Sequence, residues 1–352
     1  MALTLQEARA LLDRLPRAAL GFFPTPIMRL DRLSDALGAS LYIKRDDCSG
    51  VNLFGGNKVR KLEYLLGQAV RDGATHAITY GATQSNHAME TAWACRRLGI
   101  QPILYLTAVV PPRPEDVRAN LLLDRVLGAE IHIVPIEPGE TEADAEARSF
   151  EMGVARAAEL NAAGSKCADI PMGGASALGS VGFAAAMAEL RAQSDAMGLR
   201  FTRIYHSTGT GGTMAGLHAG RAMLGMDDVR IISVAASPKD AAAYLDKVYA
   251  LTRATLSLIG SDAAPDKAAM QLRLDQWQPG YERPSAAGSA AIRLLARTEG
   301  LFVDPVYTGK ALAGLLADIE GGDIRPGENV LFWHTGGATA LFAEPEILGE
   351  VT

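Results

Sequence analysis

Short apolar runs that read as strands alternate with longer segments of helical periodicity along nearly the whole chain, and glycine-rich turns stand between them. Such alternation predicts βαβ units, whose parallel strands lie side by side with helices packed on the faces of the sheet. The runs SLYIKRD (40–46) and HAITYGA (76–82) are expected strands. Between them NKVRKLEYLLGQAVRDG places Val59, Leu62, Leu66, Ala69 and Val70 near one face of a helix. A helix from Ser85 to Leu98, a strand at PILYLT, a helix over RPEDVRANLLLDRVLG and a strand at AEIHIVPI follow, so residues 60–167 are expected to form one lobe. The acidic run EPGETEADAEARSFEM is expected to pass from loop into helix with its charges toward water. Beyond Gly173 a second lobe is expected from a helix over Phe183–Met197, the strand TRIYHST, a helix from Thr213, the strand VRIISVAA, a helix ending at Ile259 and the strand NVLFWHT.

Ligands of open α/β sheets bind beyond the carboxyl ends of the strands, so the chemistry is expected in the turns. Four stand out. In Gly55-Gly56-Asn57-Lys58 a lysine sits beside glycines at the start of a helix, where the positive end of the dipole disfavours an ammonium and favours the amine. Arg60 and Lys61 raise the local positive potential further, although Lys58 also reads as an ordinary lysine of an amphipathic helix. The second turn, His206 to Thr213, runs from strand to helix through Ser207, Thr208, Gly209, Thr210, Gly211 and Gly212. Its free N–H groups and threonine hydroxyls make a cradle for one phosphate monoester. It is neither GxxxxGK[ST] nor a complete GxGxxG, because Met214 stands at the last position.

In the third turn, Gly81 to His87, Ser85, Asn86 and the helix N-terminus can take a carboxylate, and Asn86 can meet a phenolic oxygen. Simple capping and a core histidine are the plainer readings. The fourth feature is in two pieces, Asp304-Pro305-Val306-Tyr307-Thr308-Gly309-Lys310 and His334-Thr335-Gly336-Gly337, with Tyr281 upstream. Loop tyrosines can act as acid or carboxylate clamp, and a threonine hydroxyl can meet a ring nitrogen without charging it. As alternatives, Thr308 is a helix cap and the tyrosines are core aromatics.

Composition narrows the partners. The 352 residues carry 34 Lys plus Arg against 40 Asp plus Glu, a net charge of −6, which leaves no basic excess for nucleic acid. At 48% hydrophobic and 21% charged the chain is that of a folded globular protein, long enough for two domains or one lobed α/β body. No apolar stretch approaches the roughly 20 residues of a bilayer span. The opening MALTLQEARALLDRLP lacks the pattern of a signal peptide. Cys48, Cys95 and Cys167 are widely spaced and no His cluster has metal-ligand spacing, so no metal and a reducing, cytoplasmic setting are expected.

The segments FPTPIMRLDRLSDALG, YIKRDD, FGGNKVRKLEYL, YGATQSNH, LGAEI, STGTGGT, ARTEGLFVDPVYTGKALAGL and VLFWHTGGATALF occur in one order over nearly the whole chain. In this the sequence resembles the D-cysteine desulfhydrase and 1-aminocyclopropane-1-carboxylate deaminase family, among the pyridoxal-phosphate enzymes of the tryptophan-synthase β-subunit fold type. The resemblance implies an α/β fold of two domains with mostly parallel twisted sheets. A large cofactor-binding domain (1–59 and 168–352) would have a small domain (60–167) inserted into it, and homodimers are common in the family. It implies that Lys58 carries pyridoxal 5′-phosphate, with Asn57 beside it, that Asn86 meets the phenolic oxygen, and that the loop from Thr208 through Gly209, Thr210, Gly211 and Gly212 to Thr213 holds the phosphate. Thr308 or Thr335 would meet the ring nitrogen. Ser85, Asn86 and His87 would border the substrate carboxylate, and Tyr281 and Tyr307 match the family's active-site tyrosines. Ser85, Lys58 and the tyrosines are thus the catalytic candidates.

Deaminases of the family typically show Gln where this chain has His87, Glu where it has Thr308 and Leu where it has Thr335, whereas the desulfhydrase-like pattern has SNH, YTG and HTGG as here. A hydroxyl rather than a carboxylate at the pyridine nitrogen makes a shallower electron sink, which suffices for elimination. The expected reaction is therefore α,β-elimination from a small β-substituted amino acid. D-cysteine, giving pyruvate, sulfide and ammonia, is the first candidate, with cysteate and chloroalanine open. Ring-opening deamination is the alternative and a non-catalytic binder of phosphorylated metabolites the distant one. The family's usual run after SNH is basic, as in SNHVRQ, but Ala88-Met89-Glu90 follows here. Glu90 either borders the substrate tail, which would disfavour anionic tails, or faces water.

Overall fold

The computed structural model describes residues 2–52, 54–108, 112–113, 117–281 and 283–343. The chain opens with α1 (Leu5–Leu12), β1 (Ile27–Arg29), α2 (Asp31–Leu37), β2 (Ser40–Arg45) and α3 (Asn57–Arg71). Next come β3 (His76–Ala82), α4 (Asn86–Arg97), β4 (Gln101–Ala108), α5 (Ala119–Val126), β5 (Glu130–Pro135), α6 (Glu142–Ala162) and β6 (Cys167–Ile170). The remainder runs through α7 (Ala177–Met197), β7 (Phe201–Thr208), α8 (Gly212–Met223), β8 (Arg230–Ala235), α9 (Ala241–Ile259), β9 (Gln271–Arg273), α10 (Ala286–Glu299), α11 (Thr308–Glu320) and β10 (Asn329–His334).

These strands form two sheets. One has the order β1-β2-β10-β7-β8-β9 and is parallel except for β1, and the other, β5-β4-β3-β6, is wholly parallel. The larger sheet is covered on both faces, as a parallel sheet must be. Along β10, Leu331 and Trp333 join the core under α7 and α8, whereas Val330 and Phe332 join the core under α10 and α11. This period of two is why NVLFWH reads as an almost continuous apolar run. The smaller sheet packs Ile78, Tyr80, Ile103 and Tyr105 on one side and Leu104 and Leu106 on the other.

Most expected elements are present within one or two residues, and four differ. Val70 is exposed, not on the apolar face of α3. Of the helix expected over RPEDVRANLLLDRVLG, α5 spans Ala119–Val126, and residues 114–116 lie outside the described residues. Helix α7 starts six residues ahead of Phe183, because the Ser176 hydroxyl caps it by accepting from the Gly179 N–H at 3.1 Å. Its glycine-rich first turns look like loop but are an interface: a Cβ on Gly182 would sit 2.2 Å from the carbonyl oxygen of Arg60 on α3. Strand β6 was not foreseen, and its pairing with β3 carries the smaller sheet to Ile170, past the expected boundary at 167.

A buried ion network fixes α3 to the larger sheet. Arg60 donates to Asp46 at 2.7 Å and to Glu189 of α7 at 2.9 Å, Lys44 of β2 pairs with Glu189, and the Trp333 indole N–H donates to Asp46 at 2.7 Å. The start of α3, three residues before Arg60, is thereby held against the carboxyl end of β10.

Candidate active site

Three strand ends and one helix start converge on a cavity of about 770 Å³ between the two sheets. Its wall is supplied by Asn57 and Lys58 from α3, by Gly81 to His87 after β3, by Ser207 to Thr213 after β7 and by Thr335 and Gly336 after β10. Tyr281 and Tyr307 close another side. All four turns singled out in the sequence thus meet in one place, as the carboxyl-edge rule for parallel sheets requires.

Lys58 is the second residue of α3, whose N-cap, Gly56, has no side chain to cap it. The Asn57 N–H donates to the Thr335 carbonyl at 3.0 Å, and the Lys58 ammonium donates to the Asn57 side-chain oxygen at 2.8 Å. Burial pulls the Lys58 pKa below the ordinary lysine value, against the attraction of Glu90 and Asp304. Lys61, one turn on, is pushed well below its ordinary value by burial and by Lys58, and it donates to the Gly173 carbonyl at 3.0 Å. Two buried amines therefore share this corner of the cavity, and both are biased toward the neutral form.

The turn after β7 forms a cradle. Gly211 has a φ of +97°, a left-handed conformation natural to glycine, and Gly212 opens α8. A Cβ on Gly212 would meet the Lys61 Nζ at 3.1 Å and Ala175 at 3.0 Å, so only glycine lets the helix N-terminus open toward that amine. The Thr208 hydroxyl is paired with the Tyr244 hydroxyl at 2.7 Å, and Tyr244 also donates to the Gly209 carbonyl at 3.1 Å. The Asn57 amide donates to the Thr213 hydroxyl at 2.9 Å, tying the cradle to the lysine turn.

Across the cavity Ser85 caps α4, its hydroxyl accepting from the Ala88 N–H at 3.2 Å. The Asn86 oxygen accepts from the Asn120 amide at 2.8 Å and from the Thr339 hydroxyl at 3.3 Å. Those two donors fix the side chain so that its NH₂ group is left for another acceptor. His87 is buried, with its Nε2 at 2.9 Å from the Thr79 hydroxyl and its Nδ1 without a partner. Burial, with Lys58 and Lys61 nearby, holds the imidazole well below its usual pKa, so it is neutral.

The fourth feature divides. The Tyr281 and Tyr307 hydroxyls meet in a short contact, and both rings line the cavity. Thr335 also lines it, and its hydroxyl lies 3.1 Å from that of Ser207. Thr308 is fully buried behind the wall, where its hydroxyl donates to Asp304 and accepts from the Asp304 N–H at 2.7 Å. Thr308 is therefore neither a helix cap nor a cavity residue, which leaves Thr335 with Ser207 as the hydroxyls facing the cavity from this side. Asp304 also accepts from the N–H groups of Tyr307 and Thr308, at 2.7 and 2.8 Å, which locks the start of α11.

Sequence reasoning did not single out Lys61, Ser207, Tyr244 or Asp304 as site residues. Lys61 was within reach, since a residue three positions after Lys58 lies on the same helical face. Glu90 neither borders the cavity nor faces water; it is buried against the first turn of α3. Among the described residues no cluster could hold a metal ion, the three cysteines are free, and no helix is long and apolar enough to cross a membrane.

These features meet the requirements of a phosphorylated aromatic aldehyde. The cradle has the donors for a phosphate dianion, with Lys61 beside it, the Asn86 NH₂ is left for a polar partner, and a buried lysine biased toward its amine form lines the same cavity. A family model described as pyridoxal-phosphate dependent enzyme matches residues 18–336. A protein of Salmonella newport (strain SL254) named D-cysteine desulfhydrase is 39% identical over 335 residues, covering 94% of this chain and 97% of its own. A crystal structure titled as an ACC deaminase homologue superposes with a TM-score of 0.85 at 35% identity, covering 97% of this chain and 98% of the other. Threonine deaminase isoform 2 of Solanum lycopersicum, at 20% identity and a TM-score of 0.65, covering 98% of this chain and 88% of its own, shares the fold.

Proposed function

This chain belongs to the pyridoxal-phosphate-dependent enzymes, and from that premise we propose that it catalyses α,β-elimination from a small β-substituted amino acid, with D-cysteine the first candidate. The observation that carries the reading is that a buried, deprotonation-prone Lys58 faces one cavity with an anion cradle and a tyrosine pair.

Lys58 would be the residue to which the cofactor is joined, and the loop Thr208–Thr213 with Lys61 would hold its phosphate. Asn86 would donate to the phenolic oxygen, Asn57 would orient the lysine, and Thr335 with Ser207 would offer the ring nitrogen a neutral hydroxyl pair. Bound pyridoxal phosphate supplies an electron sink for the charge that develops at the substrate Cα. The chain's own residues do the rest. The N–H groups at the start of α4, with the Ser85 hydroxyl and the neutral His87, receive the substrate carboxylate. Lys58 Nζ, freed when the substrate amine takes its place and biased by burial toward the amine form, would take the Cα proton as general base. The Tyr281 and Tyr307 hydroxyls, already in contact, give a proton to the departing β group. The same reading carries a homodimer in the cytoplasm, and equilibrium sedimentation of the purified protein checks the first of these.

Ring-opening deamination is the second reading, favoured by the likeness to the ACC deaminase homologue. Against it, the chain places a threonine at position 308 and a hydroxyl pair at the cavity wall, where a carboxylate would deepen the sink. One panel decides: D- and L-cysteine, D-serine, cysteate and 1-aminocyclopropane-1-carboxylate, scored for keto-acid release. Pyruvate from D-cysteine in excess over 2-oxobutanoate from the cyclopropane supports elimination, and the reverse order overturns it.

A further inference from the structure

Lys58 sits where two features oppose a positive charge, burial and the N-terminus of α3. A lysine that serves as base must nevertheless hold a proton for part of its cycle, so a compensating group is required nearby. The structure offers one that the elimination mechanism does not use.

Glu90 lies one turn into α4 and is 2% exposed. Its carboxylate reaches across to the start of α3, where one oxygen accepts the Val59 N–H at 3.1 Å. The other lies only 2.5 Å from the position a Cβ would take on Gly56, the N-cap of that helix. Glu90 thus caps α3 from a neighbouring helix, at the residues immediately before and after Asn57 and Lys58. Any side chain at position 56 would displace it, so the Gly-Gly-Asn-Lys turn and the glutamate form one unit.

We infer that Glu90 is a positioning residue for Lys58: a carboxylate lent by α4 to the first turn of α3 that holds the proton on the Lys58 nitrogen while capping the helix that carries it. The inference rests on the reading that Lys58 bears the cofactor. The charged and titratable groups around Glu90 agree with the assignment. Lys58 and then Lys61 of α3 attract it, and Asp46, in the turn before α3, repels it. Among the described residues Asp304 is the only other carboxylate acting on Lys58, and its oxygens are already engaged by the N–H groups of residues 306 to 308. His87, on the same helix as Glu90, is neutral. Burial raises the Glu90 pKa while Lys58 and the Val59 N–H draw it back toward the carboxylate, so Glu90 and Lys58 titrate as a pair.

The test is Glu90→Gln, which keeps size and an acceptor for the Val59 N–H but removes the charge. Visible spectra of the holoenzyme and the variant are recorded from pH 5 to 11, following the band that reports protonation of the Lys58 nitrogen joined to the cofactor. The midpoint is expected to fall in the variant by about one pH unit or more. A wild-type band unchanged to the top of the range, with a midpoint appearing in the variant, carries the same meaning. Equal midpoints, or two flat titrations, overturn the inference. For a variant that does not retain cofactor, acetylation of Lys58 in both apoproteins is followed by mass spectrometry against pH, with the same lower midpoint expected and an unchanged one overturning it. A visible band that persists in Lys58→Ala would instead overturn the placement of the cofactor.

Discussion

The hydroxyls of Ser207 and Thr335 lie 3.1 Å apart and join the carboxyl ends of β7 and β10 inside the cavity wall. The two strands are neighbours in the larger sheet; Ser207 is the penultimate residue of β7 and Thr335 the first residue after β10. A pair of neutral hydroxyls at this point can hydrogen-bond a ring nitrogen without protonating it. Thr335→Val keeps the shape and removes one member. The Ser207 hydroxyl is then left short of a partner in a buried wall, so a stability loss of about 1 kcal/mol is expected by denaturant titration. Turnover is expected to fall by roughly tenfold with cofactor still bound, as the tuning hydrogen bond weakens. Unchanged turnover would remove this pair from the ring-nitrogen role.

Lys58→Ala separates the site's chemistry from its stability. Reduction of the wild-type protein with borohydride is expected to leave the cofactor's mass on the peptide containing Lys58, and the variant is expected to carry none. The apoprotein of the variant should melt at the same temperature as wild type or higher, because Lys58 is buried at a helix N-terminus that disfavours its charge. A large loss of melting temperature would mean that Lys58 is a structural contact.

The two hydroxyls of Tyr281 and Tyr307 touch, and on the proposed mechanism they would act as one proton-donating unit. Tyr281→Phe and Tyr307→Phe are each expected to lower kcat by about 10²- to 10⁴-fold, the range for losing a general acid. The double variant should be little worse than either single one, because residues that act together are not additive. Losses that multiply in the double variant would show separate roles. A substrate with a leaving group that needs no proton should be affected far less.

The parallel alternation, the helix carrying Lys58 and the convergence of four turns were legible because each is written in local periodicity or in glycines that only a turn requires. What was hidden depended on contacts between distant segments. Thr308 looks the same in sequence whether its hydroxyl faces the cavity or Asp304, and only the fold of the turn from Asp304 to Thr308 decides. Glu90 reads as a surface charge on a mid-length helix, and its burial follows from the close approach of α4 to Gly56. Gly179 and Gly182 read as a loop because glycine disfavours helix, yet packing of α7 on α3 overrides that preference. The short strand β6 has only four residues and mixed burial, too little pattern for periodicity to register.

Glu189 gives the fold a defined acid limit. Burial alone would raise its carboxyl pKa, but the charge and hydrogen bonds of Arg60, with those of Lys44, outweigh burial and bring it to about 2. Its folded pKa is therefore below the ordinary 4.5, so the folded state binds fewer protons than the unfolded chain between those values. The stabilisation is complete above about 4.5 and is lost as pH falls toward 2. The shift corresponds to roughly 3 kcal/mol, with the side chain only 14% exposed, so solvent screening removes little of it. Glu189→Gln leaves the buried Arg60 with Asp46 alone and Lys44 without its carboxylate, and is expected to destabilise the protein at pH 7 by about 3 kcal/mol or more. Urea titrations at pH 7, 5, 4 and 3 should show the gap between wild type and variant unchanged from pH 7 to 5 and narrowing at pH 4 and 3. A gap that stays constant across that series would mean that Glu189 contributes through packing and not through its charge.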